Sequence, residues 1–208
     1  ALCVYAGLGS GEGGAEHGAL VSVSGDIRIA DVSWIYPASH PTNGASVHFL
    51  AENLYVPGTS GGFNANELGY AGGNGAVPHK EGWGPGAGIY NAGYYGGGGY
   101  GGYGGGYAAG AGGGTYGSSN APVNPGSGGC GHGNYGKAGG GLIRIEARRD
   151  MLVNGRLLAN GGTRTGWGGS GSGGGGGGGG GSIRRTSIAL RGGGVGVFSD
   201  GPHTTNAM

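Results

Sequence analysis

Charge is scarce in this chain of 208 residues: Asp, Glu, Lys and Arg together make up 10%, and the formal net charge is +1. So few ions build neither a solvated acidic tail nor a basic surface able to neutralise a phosphate backbone. Between Gly84 and Tyr135 there is no Lys or Arg, which excludes the RNA-binding reading that a glycine-tyrosine segment invites. Cysteine is limited to Cys3 and Cys130, in no CxxC or CxxH pair. The two leave open one disulfide of a secreted protein or two separate thiols. Proline occurs only 8 times and no strict Gly-X-Y period exists, so a collagen triple helix is excluded. No segment approaches the ~20 apolar residues of a membrane span. A basic n-region followed by an apolar h-region is also missing, and the expectation is that any signal peptide has been removed.

What is abundant is glycine, 64 residues. Such composition commonly marks a flexible linker. Here the charge repulsion that keeps linkers extended is weak, and the apolar β-formers are gathered into a few segments. Glycine loses more conformational freedom on folding than any other residue, so it orders only where backbone hydrogen bonds and close packing offset that loss. Side-by-side helices of the polyproline II type, here polyglycine II, meet this demand. At about 3.1 Å per residue the run Gly173 to Gly181 would reach roughly 28 Å, a rod and not a turn.

The remaining segments carry strand signals. Ala19 to Tyr36 and Ala45 to Val56 alternate apolar and polar residues, with Val21, Val23, Ile27, Ile29, Val47 and Phe49 on one parity. The pattern returns at Gly141 to Asn160 and at Ser182 to Gly201. From the leading apolar residues Ile27, Val47, Ile143 and Ile183 to the polar corner residues Asn43, Asn66, Asn160 and Asp200, the offset is similar each time, 16 to 19 residues. A recurring unit of this size is too short to pack alone but suits one coil of a solenoid. Asn, Asp and Gly suit its corners because they tolerate positive φ. The expected fold is therefore all-β, a single domain over 1–208: a parallel β-solenoid of about four short coils in 19–60 and 141–201. Glycine-rich excursions would fill 61–140 and 161–181. Ile27, Val47, Ile143 and Ile183 are expected to form one internal ladder, and Ile29, Phe49 and Ile145 a second, with Arg185 breaking it.

The stretch LIRIEA…LVNGRLLANGG, followed by a glycine tract and Ser-Ile, resembles the glycine-rich repeats of very large secreted bacterial surface proteins. Their units take the form VRIxAxxLxVNGxIxANGG. The likeness extends through YAGGNG at 70–75, GPGAG at 84–88, TYGSSNAPVNPGSGG at 115–129 and GGGLIRIEA at 139–147, and covers most of residues 45–190. It implies a parallel β-solenoid with glycine-rich excursions and a surface, matrix or adhesive role.

Catalytic chemistry is not signalled. The six histidines match no metal-ligand spacing, and the GxGxxG-like strings lack a P-loop lysine and a strand-to-helix context. No catalytic, cofactor-binding or metal-ligating residue is assigned, and no cofactor. The arginines are concentrated late in the chain: Arg144, Arg148, Arg149, Arg156, Arg184 and Arg185 lie in or beside two successive expected coils. They fit a solvated outer face or a strip for a second subunit or a polyanion.

The aromatic set Trp83, Tyr90, Tyr94, Tyr95, Tyr100, Tyr103 and Tyr107, with Tyr116, lies among glycines that cannot shield the rings. These rings either pack over the glycine segments as a small core or form a surface that stacks on sugars or neighbouring subunits. The leading functional expectation is an extracellular structural protein, not an enzyme, whose copies assemble end to end through unpaired strand edges into a filament, sheath or matrix. The alternative is a cell-surface adhesin whose glycine- and tyrosine-rich loops bind glycan or receptor. Neither nucleic acid nor a membrane span is expected.

Overall fold

The computed structural model describes residues 1–7, 18–74, 81–91, 93–106, 110–118, 122–131 and 136–163, and the backbone of 182–186 and 189–191. Secondary structure in these residues is all β. The strands are β1 (Leu2–Tyr5), β2 (Ala19–Ser22), β3 (Asp26–Arg28), β4 (Trp34–Ala38), β5 (Val47–Ala51), β6 (Asn53–Val56) and β7 (Gly62–Asn64). They continue as β8 (Tyr90–Asn91), β9 (Tyr94–Tyr95), β10 (Leu142–Ala147), β11 (Asp150–Val153), β12 (Arg156–Leu158), β13 (Ser182–Thr186) and β14 (Ala189–Arg191).

Three 4-stranded sheets organise all but β8 and β9: sheet 1 is β1-β4-β7-β12, sheet 2 is β2-β5-β10-β13 and sheet 3 is β3-β6-β11-β14. Every pairing in them is parallel. The chain visits sheets 1, 2 and 3 in that order and repeats the circuit until β14. Each circuit thus holds a third strand that the alternation of apolar residues does not reveal. Gly62–Asn64, expected to open an excursion, is such a strand; its Gly62 pairs with both Trp34 and Arg156.

Parallel register places like positions on one another. Phe49 stands between Val21 and Ile145, and Arg185 follows Ile145 in the same row. Ile27 departs from expectation. It belongs to sheet 3, in a row with Leu54, Met151 and Leu190, because β2 and β3 are separate strands and not one. The position beside Val47 is held by Ala19 instead. Leu2, Ile35, Phe63 and Leu157 form the inner row of sheet 1. These rows meet in one apolar core, where Phe49, Leu54, Phe63, Ile143, Ile145 and Met151 are fully buried. Phe49 and Phe63 join sheets 2 and 1 edge to face, centroids 5.2 Å apart.

The connections differ by corner. Between sheets 2 and 3, and between sheets 3 and 1, they are short turns such as 23–25, 148–149, 57–61 and 154–155. All the longer ones, 6–18, 39–46, 65–141 and 159–181, run from a sheet 1 strand to a sheet 2 strand. Asn66 and Asn160 mark that corner: the Asn66 side-chain carbonyl accepts from the Asn160 N–H at 2.8 Å and from its amide at 3.1 Å. Asn43 lies in the 39–46 connection of the same corner, in its exposed 41–43 turn, where its side-chain carbonyl accepts the Ala45 N–H at 2.9 Å; Asp200 lies outside the described residues.

The connection 65–141 folds on itself through short extended segments whose hydrogen bonds repeat every third residue. Gly126 and Gly129 donate to Gly140 and Lys137, Ser127 and Cys130 to Gly99 and Gly96, and Gly128 to Trp83. Tyr70 and Gly73 donate to Gly126 and Gly129, while Gly113 and Tyr116 donate to Gly97 and Tyr100. Each segment thus bonds its neighbours in turn around its axis and makes few bonds within itself. Glycine is required because the backbones approach so closely that a Cβ at Gly96 would overlap the Ala111 carbonyl, and one at Gly128 the Ala71 carbonyl. The block is tied to the corner by Gly141 N–H to Ala65 and Ala71 N–H to Pro41. Tyr70 adds a bond from its hydroxyl to the Asn43 carbonyl at 3.3 Å. Its ring end lies over Gly44, where φ is 75° and no side chain fits.

If close backbone approach holds this block together, Gly96→Ala should lower unfolding stability by about 1–3 kcal/mol or more. Gly105→Ala, at a position with open space around it, should be neutral or slightly stabilising. Urea titrations of both variants check this, and equal effects would contradict it.

Candidate recognition surface

The residues singled out by the aromatic-glycine pattern separate into two groups. Tyr90 and Tyr94–Tyr95 form the antiparallel hairpin β8–β9, with Tyr90 opposite Tyr95 and Asn91 opposite Tyr94. Gly93, at φ 91° and with open space around it, permits the reversal. The Tyr90 and Tyr95 rings lie 5.1 Å apart, tilted by 45°. Gly96 N–H to the Ile89 carbonyl closes the base of the hairpin, which is seated on the glycine block by Ile89 N–H to the Ala111 carbonyl and by Cys130 N–H to the Gly96 carbonyl. Outward it exposes Ile89 (43%), Tyr90 (36%) and Tyr94 (40%). Trp83, on the neighbouring segment, is exposed to a similar degree, and Tyr103 stands almost wholly in solvent.

Tyr100 belongs to the other group. Its ring meets Tyr116 edge to face, with centroids 5.0 Å apart. Tyr116 in turn donates its hydroxyl to the Pro125 carbonyl and accepts from Ser127 Oγ at 2.8 Å. Ser127 Oγ also accepts the Gly86 N–H at 2.9 Å. Ser127 is fully buried, so this chain of bonds supplies partners where water cannot. Burial pushes the Tyr116 hydroxyl well above the usual tyrosine range, outweighing the Ser127 hydrogen bond that lowers it. Burial raises the Tyr70 hydroxyl as well. The glycine block thus has a small aromatic interior as well as an aromatic outside, and Tyr107 lies outside the described residues.

Sequence reasoning gave Tyr70 and Ser127 no role. Nothing in GYAGG or PGSGG distinguishes a residue whose hydroxyl bridges two segments distant in the chain. Cys3 and Cys130 are not joined: Cys3 is exposed on β1, whereas Cys130 is fully buried in the glycine block with its N–H on Gly96. Of the arginines, Arg184 stands beside Arg144 in register on sheet 2, and Arg148, Arg149 and Arg156 lie elsewhere. Arg144, on sheet 2, is buried beside His48 in register, Arg148 and Arg149 occupy a turn, and Arg156 is on sheet 1. Arg149 pairs with Glu52, and Arg28 covers the Tyr55 ring at 4.4 Å. Among the described residues no three His, Cys, Asp or Glu side chains converge as metal ligands would, and no helix is long and apolar enough to cross a membrane.

No family model matches the chain, and neither does any curated protein or solved structure. Its functional reading therefore rests on geometry.

The raised hydroxyls of Tyr116 and Tyr70 set a pH dependence. A neutral acid whose folded pKa is raised ionises first in the unfolded chain, so its contribution is complete below the ordinary tyrosine value of 10.0 and is lost as pH climbs above it. Melting temperature should fall above about pH 10, and Tyr116→Phe should flatten part of that fall. At neutral pH the same substitution should cost about 1–3 kcal/mol, because Ser127 loses its acceptor. Thermal melts across pH, on both proteins, measure these effects; parallel profiles would refute the assignment.

Proposed function

We propose that this chain is an extracellular recognition module: a four-coil parallel β-solenoid that carries, from one corner, a polyglycine II block displaying aromatic rings to a cell-surface ligand. Support for the solenoid comes from the three parallel sheets visited in fixed order and from the stacked inner rows. Three-residue periodicity in the block's hydrogen bonds matches the turn of a polyproline II helix, which has no internal bonds of its own. The observation that carries the recognition reading is the β8–β9 hairpin, where Tyr90, Tyr94 and Ile89 remain exposed on a backbone pinned by hydrogen bonds. Rings held in place before binding lose little entropy on contact, and tyrosine offers an apolar face with a polar tip. Extracellular placement follows the resemblance to secreted glycine-rich repeats.

A second reading, end-to-end assembly, is favoured by a different observation. In the first circuit Leu2 is 56% exposed, and the inward residues Val4, Ala19, Val21 and Ile27 are only partly covered. A second copy stacked there would continue the three sheets and cover those side chains.

Binding of fluorescently labelled protein to a panel of intact cells tests the first reading. The Tyr90→Ala/Tyr94→Ala double variant is expected to lose about tenfold or more in affinity with an unchanged melting temperature. Undiminished binding by a folded double variant would refute it. Electron microscopy across concentrations tests the second reading: filaments that Val21→Lys abolishes would support it, and monomers throughout would exclude it.

A further inference from the structure

We infer that the ligand of the aromatic hairpin is an uncharged carbohydrate. This deepens the recognition reading and rests on it. From Gly84 to Tyr135 the chain contains no Asp, Glu, Lys or Arg, and this stretch supplies the hairpin and most of the glycine segments beneath it. The polar groups on the hairpin itself are the hydroxyls of Tyr90, Tyr94 and Tyr95 and the side-chain amide of Asn91. All are neutral, and between them they both donate and accept.

A sugar ring presents this surface in complement. Its C–H face packs on an aromatic face, and its hydroxyls exchange hydrogen bonds with phenol and amide groups. An acidic polysaccharide calls instead for Arg or Lys, which pair with carboxylate and sulfate, and no such residue lies within this stretch. Protein interfaces also use exposed tyrosine, so a protein ligand is the competing outcome that the test separates. Tyr90 and Tyr94 are each more than one-third exposed, so ring surface is open without any rearrangement of the block.

The test uses the full chain on immobilised polysaccharides, with neutral glucans, mannans and galactans on one side and alginate, polygalacturonate and heparin on the other. Retention on at least one neutral polymer is expected, changing less than about twofold between roughly 50 and 500 mM salt because no ion pair is screened. Tyr90→Ala/Tyr94→Ala should weaken it about tenfold or more, while Tyr90→Phe/Tyr94→Phe should keep the stacking share and lose less. Retention confined to acidic polymers and abolished by salt would overturn the inference. So would cell binding that survives glycan removal but not protease treatment, although the recognition reading would then stand. Loss of all cell binding by the wild-type protein would sink both.

Discussion

Backbone meeting backbone, with no side chain between, is the constraint on which this structure depends. In the glycine block the groups that hold the chain are the N–H and C=O that every residue carries. They are satisfied by segments packed so near that a single methyl at Gly96 or Gly128 would strike a neighbouring carbonyl. An apolar core is non-directional and tolerates repacking. A lattice of hydrogen bonds does not, because displacing one segment breaks bonds to several others at once. Among the side chains inside, Tyr116, Ser127 and Tyr70 bridge segments by their hydroxyls.

The strand-bearing part obeys the opposite rule. There, equivalent inward positions of the first three circuits are apolar and of compatible size, as Phe49 is between Val21 and Ile145, and Leu54 between Ile27 and Met151; Arg185 departs from this in the fourth. The two regions meet at Tyr70, whose ring reaches the turn before β5 and occupies the space left by Gly44. A glycine in a strand-side turn and a tyrosine in the block are thus parts of one contact.

How much of this could be read from the chain follows from those two rules. Period-two alternation reveals β5 and β10, since one parity of each lies in the apolar core, although His48, Leu142 and Arg144 on the other parity are buried too. It blurs β2 with β3, because the short turn at 23–25 preserves the look of one long strand. That is why Ile27 was expected beside Val47 and lies instead on Leu54. The third strand of each circuit escapes the pattern: Trp34–Ala38 contains a proline, and Gly62–Asn64 opens with a glycine. Asn66 beside Asn160 was legible because polar corner residues stack as apolar ones do; Asn43, four residues before the start of β5, lies in a turn of the same corner. Which tyrosines face solvent and which face glycine was not legible, since Tyr94 and Tyr100 have near-identical neighbours in sequence. Their difference arises from a hairpin that only the three-dimensional path creates.

Every long connection leaves between sheet 1 and sheet 2. Chain added at that corner need not disturb the register of any sheet, because the strands before and after it are already fixed by the circuits above and below. The corner therefore acts as a grafting point at which loops of unrelated length can be exchanged while the other two corners stay trimmed. Length of chain at that corner is thereby uncoupled from the register of the sheets.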